Sequence, residues 1–334
     1  MLDIENTSRM NKSILSAFLI IVVIIIAACT ESKNSNHNAF AVKTAIDQIL
    51  LANANGETIK LTKDGKQWLV NDQFVARQDM IDILLTTIKK VQVNYPVAKK
   101  EQKGIIKSIA AKHIKVEIYN KGEKLKTYFV GDHTQDLTGT YFYLENDERP
   151  YVVLIPGFEG YLTPRYFTVE KDWRSRVIFE NDPKDIKRIS VDYDERIPNL
   201  ESFVITQKNK KIQITNSKTK LTQDLTDSEI GLQYLGFFKH LEIEGFENDY
   251  PKKDSIIKSK PFCEIEIEQA NGKITSADIY LMDLNQRSKT QFDRKGNQLQ
   301  YDLDRMFVSF NEGKDFGILQ MFVFGKLFQN YSSF

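Results

Sequence analysis

The feature that most restricts what this chain can fold into is a repeat. Residues 58–71 read TIKLTKDGKQWLVN, and residues 202–215 read SFVITQKNKKIQIT, at an offset of 144. Each stretch alternates apolar and polar residues on both sides of a turn, Asp64-Gly65 in the first copy, which is the pattern of a β-hairpin. Leu61 falls on Ile205, and Trp68 and Val70 fall on Ile212 and Ile214. Two hairpins with one apolar face each must bury that face against something, so two similar sheets are expected rather than one helical body.

The stretch after each hairpin is repeated too. Met80, Ile81, Leu84, Leu85, Ile88 and Val91 form one helical stripe. Ile230, Tyr234, Phe237, Phe238 and Leu241 form another, opened by Thr226-Asp-Ser-Glu229, a capping-box pattern. IIKS then occurs at 105–108 and again at 256–259. After each copy comes an alternating strand, IKVEIYN or CEIEIEQ, and a turn at Gly122 or Gly272. The expected class is α+β, with two tandem related modules, each an antiparallel sheet with helices packed on one face. Glu264, Glu266 and Glu268 then line the wet face of one strand, a solvated row rather than a metal ladder.

The 334 residues include 41% apolar and 27% charged residues, enough for two cores with ordinary soluble surfaces. The 46 basic and 45 acidic residues leave a net charge of +1, so no overall field favours nucleic acid. Only two cysteines are present, Cys29 and Cys263, which rules out a disulfide framework. Cys263 sits within CEIEIEQ and is expected to pack as a small apolar group.

Cys29 ends the run ILSAFLIIVVIIIAAC of residues 14–29. The fifteen residues 14–28, with one Ser and no charge, rise about 22 Å as a helix, short of a ~30 Å hydrocarbon core, and Arg9 and Lys12 flank them as in a signal peptide. The segment Ile26-Ala27-Ala28-Cys29 resembles the lipobox of bacterial lipoproteins. That resemblance implies cleavage before Cys29, a thioether-linked diacylglycerol with palmitate-type chains on its sulfur and an acylated amine, giving a membrane anchor. The expected organisation is a signal peptide over 1–28, a flexible tether over 29–39 (polar TESKNSNHN), a first module over 40–182 and a second over 183–334, joined near Asp182-Pro183.

No catalytic or nucleotide-binding signature is present: GxSxG, HExxH, GxxxxGK[ST], paired CxxC and GxGxxG are all missing. His37, His113, His133 and His240 have no partner at metal-ligand spacing, so no metal and no cofactor are expected, and no enzyme. Three stretches remain as candidates. The loop GDHTQDLTGTYFY carries Asp132 and Asp136 among hydroxyls, readable as a cation or sugar site or as a hairpin link with Gly139 at positive φ. Arg165, Tyr166, Trp173, Arg174 and Arg176 are residue types enriched in binding hot spots, or a packed amphipathic helix. The Phe-rich tail, with Phe316, Leu319, Val323 and Leu327 at helical spacing, is expected to be buried core.

The stretches IKLTKDGKQWLVN, DMIDILLTTI, IKVEIYNKGEKLKTYFVGD, GTYFYLENDERPYVVLIPGF and PRYFTVEKDWRSRVIF resemble a bacterial lipoprotein family known as domain of unknown function 4340, in its Bacteroidetes form. The resemblance runs from Phe40 to Asp194 and brings no catalytic residue. It implies association with auxiliary proteins of ABC transport systems tied to gliding motility. The expectation is a non-catalytic envelope protein, lipid-anchored to the inner or outer membrane with its body facing the periplasm, acting as a binding or assembly module for an envelope partner. The alternatives are a receptor for a sugar, peptide or ion, and an envelope hydrolase with a dispersed carboxylate pair.

Overall fold

The computed structural model describes residues 37–334 apart from 210 and 227, so the expected signal peptide and Cys29 lie outside the described residues. Two compact units divide between Ser175 and Arg176.

The first unit is built on a nine-stranded antiparallel sheet. Its elements are β1 (Gln48–Asn53), β2 (Thr58–Asp64), β3 (Gln67–Val70), β4 (Phe74–Val75), α1 (Gln78–Lys90), β5 (Gln92–Pro96), α2 (Lys99–Ala111), β6 (Ile114–Asn120), β7 (Glu123–His133), β8 (Thr140–Leu144), β9 (Tyr151–Leu154) and a closing turn α3 (Glu170–Trp173). The strands lie in the order β4-β3-β2-β1-β6-β7-β8-β9-β5.

The second unit opens with β10 (Val177–Phe179), which pairs with β15 (Leu241–Glu242); the sequence reading places the join a few residues later, at 182–183. Its main elements are β11 (Ile186–Tyr193), β12 (Phe203–Lys208), β13 (Lys211–Asn216), β14 (Thr222–Asp224), α4 (Glu229–Gly236), β16 (Gly245–Phe246), α5 (Lys253–Ile257), β17 (Cys263–Gln269), β18 (Ile274–Asp283), β19 (Tyr301–Phe310), β20 (Asp315–Gln320) and α6 (Met321–Phe324). The order is β14-β13-β12-β11-β17-β18-β19-β20-β16, which matches the first sheet strand for strand.

The repeat is therefore visible in the hydrogen-bond register. Leu61 lies opposite Val70, and Ile205 lies opposite Ile214. Extending sideways, Ile118–Ile49–Leu61–Val70 form one buried row across four strands, and Ile267–Ile189–Ile205–Ile214 form its counterpart. Gly122 and Gly272, the turn residues after the two alternating strands, both adopt positive φ, where a side chain would be strained.

Two expectations need correction. The chain is sheet-rich rather than a balanced α+β fold. Nor do the helices share one face. In the first unit α1 buries Ile81, Leu84 and Ile88 in the main core, whereas Ile109 of α2 sits over Gly131 on the other face, where an added Cβ would come within 2.8 Å of it. In the second unit Tyr234 and Leu235 of α4 join the main core, while Ile256 and Ile257 of α5 cover a separate patch of Tyr280, Phe307 and Phe316. Sheets with apolar residues on both faces need cover on both, and the helix that carries each IIKS segment supplies it.

Local details differ too. Ser228, not Thr226, caps α4, because Thr226 Oγ1 accepts the Ile212 amide at 3.1 Å. Ile230 projects outward, and Leu235 takes its place in the stripe. The tail is β20 followed by one turn of helix, not a continuous helix; Phe316, Leu319, Phe324 and Leu327 are buried while Phe322 is exposed. Among the described residues no helix is long and apolar enough to cross a membrane.

The end of the expected tether is docked. His37 Nδ1 lies 2.8 Å from the Val93 carbonyl, Lys126 donates to the Ala39 carbonyl at 2.5 Å, and the Val42 amide donates to the Ile88 carbonyl at 3.1 Å. Phe40 is fully buried, edge-on to Tyr128 (5.8 Å), Phe142 (5.3 Å) and Tyr151 (5.8 Å).

Candidate functional site

The arginine and aromatic cluster is spread through the packing of the first unit and the start of the second. Trp173 is fully buried, stacked on Phe167 at 4.3 Å, and its Nε1 donates to the Phe167 carbonyl at 3.0 Å. Tyr166 is buried with its hydroxyl 3.1 Å from that of Tyr128, and burial pushes both phenols well above their ordinary range. Arg165 covers the Phe158 ring at 4.2 Å and donates to Thr87 Oγ1 at 2.9 Å. Arg174 is buried over the Phe74 ring at 3.6 Å, and Arg176 donates to the Glu244 carbonyl at 3.0 Å. Within the first unit, Arg165, Tyr166, Trp173 and Arg174 form no common exposed surface.

The 131–143 loop satisfies itself. Asp136 accepts from the Thr138 amide at 3.2 Å and hydroxyl at 2.8 Å, and Thr134 Oγ1 accepts the Gly139 amide at 3.0 Å. Asp132 pairs with Lys112 at 3.5 Å. The positive φ falls on Leu137 rather than Gly139. Gly139 is needed for another reason: a Cβ there would sit 2.5 Å from Val152 Cγ1.

The glutamates of β17 fall into two groups. Glu266 pairs with Arg188 at 2.8 Å, and Glu268 pairs with Lys187. Glu264 instead lies opposite Asp192 on one side and Asp278 on the other, giving three carboxylates in register. Burial, then the Asp278 and Asp192 charges, raise the Glu264 carboxyl, with Lys260 opposing; burial raises Asp278. A carboxyl whose folded pKa is raised imposes a penalty that is absent below the unfolded value and complete above the folded one. Glu264→Gln is expected to stabilise the second unit at neutral pH by about 0.2–1 kcal/mol, a rise of roughly 1–3 °C in unfolding temperature. The gain disappears below about pH 4, as melts from pH 3 to 8 would show.

A concave surface lies in the second unit. A groove of about 690 Å³ lies between α4 and the starts of β11 and β13. Its floor is aliphatic, from Ile186, Ile212, Leu232 and Leu235, and its rim carries Lys184 and Lys187, with no acidic side chain among the described lining residues. Lys187 is paired with Glu268, and Lys184 makes no ion pair among the described residues. Gln207 holds the wall by donating to the Lys184 carbonyl at 3.4 Å, and its Oε1 is buried without a hydrogen-bond donor among the described residues. Leu232 is 57% exposed, so the apolar floor opens onto the helix surface. This is the usual make-up of a binding cleft, an apolar lining with few polar groups.

Sequence reasoning missed this groove because its walls come from four separated segments. The one local hint is α4 itself, EIGLQYLG, apolar on two sides where one side would suffice for a core. Cys263 does sit where expected, fully buried in β17 with its thiol raised by burial. Among the described residues no group of three His, Cys, Asp or Glu side chains is arranged to hold a metal ion.

A family model described as Domain of unknown function (DUF4340) matches residues 76–259, from just after β4 to just after α5. No curated protein and no solved structure matches the chain.

Proposed function

This chain belongs to the DUF4340 family, and from that premise we propose that it is a lipid-anchored envelope protein whose second unit binds, without chemistry, a short apolar peptide segment by its carboxyl end. The groove over α4 carries this reading. Its aliphatic floor suits branched side chains, Gln207 Oε1 requires a donor such as a peptide N–H, and Lys184 and Lys187 at the rim suit a carboxylate. A sugar would want aromatic faces and several hydrogen-bonding partners, which this floor does not offer. The lipid anchor rests on the Cys29 lipobox, and an envelope partner is then the natural source of the segment.

The test is thermal unfolding of the full chain with trileucine and with its C-terminal amide. At about 100 times its dissociation constant the free-acid peptide adds about 2.7 kcal/mol, raising the second unit's unfolding temperature by roughly 5–10 °C. The amide is expected to bind at least about tenfold more weakly, since it lacks the charge that the lysines meet. Leu232→Glu, an exposed substitution, should remove the shift without lowering the unliganded melt. A flat response to both peptides, or equal responses, would end this reading.

A further inference from the structure

A second concave site lies in the first unit, at the point where the described chain begins. A pocket of about 420 Å³ is lined by Lys43, Lys89 and Lys90 together with Asn38 and Gln92, with no acidic side chain among the described lining residues. None of the three lysines makes an ion pair among the described residues, in a chain whose charges otherwise nearly balance. Three positively charged residues lining one hollow repel one another at moderate salt unless an anion joins them. Lys89 and Lys90 end α1, where the helix's partial negative charge offsets part of the repulsion. Lys43 comes from outside the helix and adds a third positive charge to the same hollow.

Position identifies the anion. Asn38 lines the pocket, and Phe40 and the Val42–Ile88 hydrogen bond hold this entry segment against the core. Cys29 is nine residues upstream, so an anchor there can stand no more than about 30 Å from the pocket. We propose that Lys43, Lys89 and Lys90 form a lipid-facing foot that docks on the phosphate headgroups of the membrane holding the anchor. The foot rests on the lipid-anchored reading of Cys29. A fatty chain and a basic patch acting together give firmer attachment than either alone, and each lysine near an anionic surface contributes about a fivefold gain in partition.

The test uses the full chain on vesicles of phosphatidylcholine alone or mixed with phosphatidylglycerol, followed by hydrogen exchange of residues 37–43 and 88–93. On the anionic vesicles exchange of both segments is expected to slow by roughly threefold or more, and about 0.5 M salt should cancel the effect. The triple variant Lys43→Glu, Lys89→Glu, Lys90→Glu should show no slowing; all three side chains are exposed, and an unchanged thermal melt would confirm its fold. Equal exchange on the two vesicle types overturns the proposal. Slowing reproduced by inorganic phosphate without vesicles also overturns it, in favour of a soluble anion. Flotation of Cys29→Ala on phosphatidylcholine vesicles reports the anchor separately: unchanged flotation removes the anchor reading, while the exchange result still decides the foot.

Discussion

Trp173→Ala is expected to lower the unfolding temperature of the first unit by roughly 10 °C or more. The indole has no exposed surface, stacks on Phe167, and satisfies the Phe167 carbonyl through Nε1. Removing it leaves a large cavity and an unpaired acceptor, together about 3–5 kcal/mol. The backbone at the same point matters as well. The Trp173 carbonyl accepts the Arg77 amide at 2.7 Å, and the Ser175 amide donates to the Val75 carbonyl at 2.7 Å. Residues 173–175 thus cover the edge strand β4, and loss of the indole would loosen that cover. Trp173→Phe should recover part of the loss by keeping the stack but not the N–H. Calorimetry of the three proteins checks this, and a shift below about 3 °C for the alanine variant would show that the indole is not a packing keystone.

Phe40→Ala is expected to cost about as much, 3–5 kcal/mol by the usual range for a buried phenylalanine, with a different local signature. Three edge-on aromatic contacts vanish together, and the segment that enters the unit loses its only fully buried side chain between residues 37 and 43. Hydrogen exchange of the Val42 amide, which bonds to the Ile88 carbonyl, should then rise well beyond the change elsewhere in the unit. In Trp173→Ala that amide should exchange no faster than its neighbours. The pair of variants separates pinning of the entry segment from general loss of core.

Much of the sheet framework can be read from alternation alone. IKVEIYN and CEIEIEQ become β6 and β17, and the two hairpins at offset 144 become β2–β3 and β12–β13 with matched partners. These signals survive because an alternating strand with one buried face has only one register that works. The second helix face was not legible: α5 has five residues, too few to show a stripe, and its cover for Tyr280 and Phe316 exists only once β18 to β20 are side by side. Capping failed for a similar reason, since Thr226 is a good cap residue that β13 claims first. The hot-spot cluster misled because Trp and Arg serve cores and interfaces alike, and exposure separates the two uses only in the folded chain. The groove needed Lys184, Gln207, Ile212 and Leu232 to converge from distant segments, and no local pattern announces that.

Two copies of one strand order in a single chain carry a hazard of exchange. Each sheet is sewn along two long-range seams, β1 to β6 and β5 to β9 in one, β11 to β17 and β16 to β20 in the other, and mispairing β1 with β17 would still satisfy the backbone. The outward residues decide against it. β11 meets the glutamates of β17 with Lys187 and Arg188, whereas β1 reads QILLAN and has no cation to offer them. β6 in turn neutralises its own Glu117 with Lys115 and with Lys124 of the adjoining hairpin, and asks nothing of β1. Surface charges that add little to the finished fold therefore distinguish the two halves, matching β11 and not β1 to the glutamates of β17.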